Sequence, residues 1–79
     1  MNKKKDTVYE FYNLALYEYE QGTGLEELQE ILQDYEHQEM YLECAGIKLA
    51  IQYIEFLINL QIIIYINKIN EDTRNQRLS

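Results

Sequence analysis

Asp34 and His37 stand three residues apart, a spacing that places a carboxylate and an imidazole on one helical face, with Glu30 and Glu36 close by. A metal ion is the chemistry such a pair could serve. Helical di-metal sites, however, take a Glu-x-x-His pair from each of two helices and two further glutamates. This chain has one histidine, so even a symmetric dimer would have to complete the set across its two-fold axis. His37 is read instead as a partly exposed residue near a helix junction.

Other chemistry is thinner still. An acid/base carboxylate pair needs one member held in an apolar or crowded setting, and Glu55 alone falls in a strongly apolar stretch, where it could equally face outward. Cys44 is the single cysteine, two helical turns from His37, and Ser79 is the single serine, so no nucleophilic triad can be assembled. Gly22 and Gly24 lack the lysine and the preceding strand of a phosphate loop. No catalytic residue, metal or cofactor is assigned, and the chain is not read as an enzyme.

The elements that would position any site are helical. Residues 40–69 hold no proline and one glycine, and Met40, Cys44, Ile47, Ile51, Ile54, Ile58 and Ile62 recur at steps of three and four. That spacing lines one face of a helix and suits a packing seam. A second set, Ala45, Leu49, Phe56, Leu60, Ile63 and Ile64, widens the stripe. Gly46 sits in a small-residue patch with Cys44 and Ala45, a place for two backbones to approach closely. Cys44 itself reads as a buried thiol on the apolar face.

Two shorter helices precede this one. Val8, Phe11, Tyr12, Ala15, Leu16 and Tyr19 form the stripe of the first, with Asp6 or Thr7 as its cap. Gly22-Thr23-Gly24 ends it, and Thr23 with Glu26 fits a capping box opening the second. Leu25, Leu28, Ile31, Leu32 and Tyr35 are the apolar side of that helix. The spacing predicts helices over about 7–21, 24–36 and 39–69 within a single domain of residues 6–70. A break is expected between 36 and 40, because an unbroken helix would be far longer than globular helices run. Residues 1–5 are expected to be a disordered basic lead and 71–79 a polar tail. Residues 62–66 have strand-like composition, but no other segment alternates with period two, so helix is expected. The fold class is all-α: a helical hairpin plus a long C-terminal helix.

Seventy-nine residues form one small domain, yet 47% of them are apolar. So short a chain buries only about 60% of the surface its unfolded form exposes. The surplus predicts a homodimer through the long helix. Residues 53–66 are interrupted by Glu55, Asn59 and Gln61, which shortens the apolar run below the ~20 residues of a bilayer crossing. With no secretory signal pattern at the N-terminus either, a cytoplasmic location is expected, and membrane association stands as a further alternative.

The net charge of -7 is unevenly placed. Eleven acidic residues fall between positions 6 and 47, with no lysine or arginine among them. Opposite charges three or four residues apart stabilise a helix, whereas Glu26/Glu30 and Glu39/Glu43 are like-charged pairs. A one-sign surface repels nucleic acid and speeds encounter with a basic partner. The acidic face is assigned to Glu10, Glu18, Glu20, Glu26, Glu27, Glu30, Asp34 and Glu36, with Tyr9 and Tyr17 as exposed aromatic anchors. The function expected from this is a stoichiometric regulator or inhibitor that docks on a basic protein, including a nucleic-acid-binding protein whose phosphate site the carboxylates mimic. The same acidity would also serve merely to keep an apolar oligomer in solution. A homo-oligomeric adaptor acting through its apolar helix faces is the competing function.

Overall fold

A computed structural model describes residues 3–78 of the chain, and the side chains of residues 3–73. Three helices make up a small all-α bundle: α1 over Lys3–Glu20, α2 over Leu25–His37 and α3 over Tyr41–Leu78. The 38 residues of α3 correspond to about 57 Å of helix, and the molecule is 61 Å along its longest axis. Both α1 and α2 pack mainly against α3 and touch each other little. The long helix is thus the spine to which the two shorter ones are attached.

The turns follow from backbone chemistry. Gly22 takes φ of 110° and closes α1, with the Gly22 amide donating to the Tyr19 carbonyl (3.1 Å) and the Thr23 amide to Glu18 (3.0 Å). These are the two crossed bonds of a left-handed helix stop. The same pair of bonds ends α2, from Glu39 to the Glu36 carbonyl and from Met40 to Tyr35, each at 3.0 Å. The chain therefore breaks after α2, as the sequence predicts. Here the left-handed position is held by Glu39, with φ of 58°. A side chain with a Cβ is strained in that region where glycine is not. Glu39→Gly should accordingly stabilise the protein by about 1 kcal/mol, read as a higher urea midpoint with unchanged slope.

Several expected boundaries shift. α1 begins at Lys3, so Lys3, Lys4 and Lys5 are helical and not a disordered lead; of those five residues, only 1 and 2 lie outside the described part. Neither Asp6 nor Thr7 caps it, and the Thr7 hydroxyl donates back to the Lys3 carbonyl at 3.0 Å. The capping box is also absent. Gly24 is the N-cap of α2 and makes no side-chain cap bond, while the Thr23 hydroxyl donates to the Glu18 carboxylate at 3.3 Å. α3 continues to Leu78, through the segment expected as a polar tail, and residues 62–66 are helical.

Ala15, Leu28, Ile47, Ala50, Ile51 and Ile54 form the buried core, flanked by half-buried Phe11, Tyr12, Leu16, Leu25, Leu32, Tyr35 and Ile58. Among the described residues no polar or charged side chain is buried. Phe11 and Tyr35 meet edge to face at 5.6 Å, one of the few links between α1 and α2. The core ends at Ile58. Every residue from 59 to 73 is exposed, although Leu60, Ile62, Ile63, Ile64, Tyr65, Ile66 and Ile69 lie there.

Candidate interaction surfaces

The residues first considered for chemistry do not converge. Asp34 and His37 are both exposed on α2, and Glu55 is exposed on α3. Among the described residues no three of His, Cys, Asp and Glu come together as a ligand set.

Cys44 is buried, with its thiol 3.9 Å from the Leu32 carbonyl oxygen. Burial pushes its pKa up, and the carboxylates of Glu36 and Glu43 add to the effect; its own backbone hydrogen bond and Lys48 oppose it. A thiol raised in this way supports the folded state fully below its unfolded pKa of about 8.5. That support is lost as pH climbs through the higher folded value. The stability of the natural chain should fall more steeply above about pH 8.5 than that of Cys44→Ala, as followed by denaturant titration across pH. The thiol should also react slowly with an alkylating reagent until the protein unfolds.

At Gly46 the backbone of α3 comes close to that of α1. A Cβ built there would fall on the Val8 carbonyl oxygen, 2.8 Å from the Tyr12 amide nitrogen and 2.9 Å from the Phe11 Cβ. The residues assigned to an oligomer or core seam divide accordingly. Cys44, Gly46, Ile47, Ile51 and Ile54 are buried within one chain, Ile58 is half-buried, and Ile62 is exposed.

All ten residues assigned to the acidic face are exposed, but they do not share one surface. Glu26, Glu27, Glu30 and Asp34 are spaced to occupy one side of α2, opposite the buried Leu28. Glu36 points elsewhere, near enough to Cys44 to raise its thiol pKa. Glu18 turns toward the loop, where it accepts from Thr23. On α1, Glu10 and Tyr17 share a side seven residues apart, whereas Tyr9 leans on Tyr12 with ring centroids at 6.2 Å. Lys3 falls seven residues before Glu10, so the basic start of α1 lies along its acidic side. The coherent acidic strip belongs to α2 alone.

A further surface is apolar. Leu49, Tyr53, Phe56, Leu60 and Ile63 follow one another at steps of 4, 3, 4 and 3 along α3 and are 42–59% exposed. Beside the first two, Val8, Tyr9, Tyr12 and Gln52 complete an open groove of about 500 Å³ between α1 and α3. Sequence reasoning merged these positions with the core stripe. Their own unbroken 4-3 spacing, with Tyr53 included, is the signal that separates them. α3 is also long and apolar enough over Tyr41–Thr73 to cross a membrane by length and composition, with 17% of its most apolar stretch buried.

Comparison of the chain with protein-family models, with curated proteins and with solved structures gives no match.

Proposed function

We propose that this protein is a non-enzymatic helical assembly module that joins chains through α3. The observation that carries this reading is the uncovered second half of that helix. Residues 59–73 are exposed throughout, and seven of them are large and apolar. Soluble monomers rarely present a contiguous apolar patch above roughly 300–600 Å². An isoleucine-rich helix that packs on nothing also lacks the tertiary contacts from which helices draw most of their stability.

A bilayer crossing fits the geometry less well. The first half of α3 has α1 and α2, with its acidic strip, packed along one side, which would be costly at hydrocarbon depth. What is left between residues 59 and 70 is about 18 Å of helix, against the ~30 Å of a hydrocarbon core. Light scattering on the purified chain tests the proposal directly. A mass of twice 9.6 kDa or a higher multiple supports it, and a single-chain mass at micromolar concentration sinks it.

The acidic strip of α2 favours a second role on the same scaffold. Glu26, Glu27, Glu30 and Asp34 present four carboxylates from one side of one helix, without an interleaved cation. In this role the strip meets a basic protein surface and the complex weakens as salt screens it. Glu27→Lys with Glu30→Lys should abolish salt-sensitive capture of a basic protein and leave self-association intact. Capture that survives both substitutions removes this role.

A further inference from the structure

Resting on the assembly reading, we infer that the partner of α3 is a second copy of this chain, packed antiparallel along the outer seam of Tyr53, Phe56, Leu60 and Ile63. Three observations converge on it. The first is spacing: steps of 3, 4 and 3 are what two helices need to keep one seam in contact. The second is shape. The groove of about 500 Å³ lies at the Leu49–Tyr53 end of the seam, and the ridge of Leu60, Ile63 and Ile64 lies at the other end. One chain thus carries both halves of a complementary pair, displaced along a single helix. An antiparallel two-fold brings each ridge to the other copy's groove, whereas parallel pairing sets groove against groove and leaves both unfilled.

Charge is the third. Residues 1–58 carry twelve acidic and four basic side chains, a net -8, and residues 59–79 carry two acidic and three basic, a net +1. Parallel pairing would set two strongly acidic bundles side by side. Antiparallel pairing separates them.

The register follows from the seam. Phe56 packs in one layer with Leu60 of the second copy, and Tyr53 with its Ile63, so the two-fold repeats both layers and gives four. The exposed parts of Leu49, Tyr53, Phe56, Leu60, Ile63 and Ile64 amount to roughly 600 Å² per copy, close to the ~800 Å² per partner of a standard interface.

Pairwise cross-linking tests the arrangement in the full chain. Tyr53→Cys and Ile63→Cys, each combined with Cys44→Ala, are mixed and oxidised mildly. A mixed 53–63 disulfide should be the main product, with little 53–53 or 63–63, because like positions lie ten residues apart, about 15 Å. Predominant 53–53 and 63–63 links mean parallel pairing and overturn the inference while the assembly reading stands. A multimer without any of these links overturns it too, since the seam then lies elsewhere. In parallel, Leu60→Glu should halve the measured mass from twice 9.6 kDa to 9.6 kDa with the bundle still folded, because Leu60 lies beyond the core. A single-chain mass for the natural protein, with flotation on neutral phosphatidylcholine vesicles, overturns both readings in favour of a lipid surface.

Discussion

Replacing Gly46 by alanine will destabilise the protein by about 2–3 kcal/mol, and replacing it by leucine will prevent the bundle from forming. In an exposed helix the first change would be favourable, since alanine exceeds glycine by about 1 kcal/mol in helix propensity. Here the added carbon meets the Val8 carbonyl and the Tyr12 amide, which belong to the backbone of α1 and cannot rotate away. Ala50, one turn further along α3, is fully buried as well. Relief would require α1 to lift from α3, uncovering Ala15 and Ile47 as it goes. Total stability for a chain of this length is about 4–12 kcal/mol, so the alanine variant should still fold while its thermal midpoint falls steeply. An unchanged midpoint would show that α1 does not approach α3 at this point.

Leu28→Ala should cost about 3 kcal/mol, within the range found for leucine truncation in packed cores. Leu28 is the one buried residue of α2 and is 2% exposed. Its contacts, together with those of half-buried Leu25, Leu32 and Tyr35, are what hold α2 to the bundle. Truncation removes packing where Leu28 lies against Phe11, Ala15 and Ile47 and enlarges the cleft they line. The neighbouring Ile31, 39% exposed, is the internal control, and Ile31→Ala should cost well under half as much. Urea denaturation of the two variants decides the matter. Equal losses would mean that α2 is held by its rim and not by Leu28.

The helical class was legible because steps of three and four run through all three elements. The recurrence of Ile47, Ile51 and Ile54 named half of the core outright. Gly46 was legible too, since an interior glycine among small neighbours has few explanations besides close packing. The capping residues were not. Thr23 satisfies the one-dimensional pattern of a capping box, but Glu18 competes for its hydroxyl across the loop, a contact that exists only once α1 has ended. Glu39 as a helix stop was hidden for a similar reason, because the left-handed position ordinarily goes to glycine or asparagine. The acidic face was legible as composition but not as a surface. A run of carboxylates in sequence became one strip on α2 and scattered positions on α1 once each helix had chosen its buried side. The outer seam of α3 was overlooked because two apolar stripes on one cylinder read as a single broad one.

Under the proposed pairing, the bare end of α3 makes helicity itself a function of dilution. Residues 59–78 form about 30 Å of helix beyond the last core contact at Ile58, and β-branched isoleucines are poor helix formers when nothing packs on them. In the proposed dimer the second copy supplies that packing, so the terminal turns and the contact between copies should form and melt together. Circular dichroism at 222 nm should then lose amplitude on serial dilution while the Phe11–Tyr35 contact in the bundle persists. Trypsin should begin to cut at Lys68 over the same concentration range. On that proposal, a cell that makes little of this protein holds mostly chains with frayed ends, and the paired form appears only above a threshold of expression.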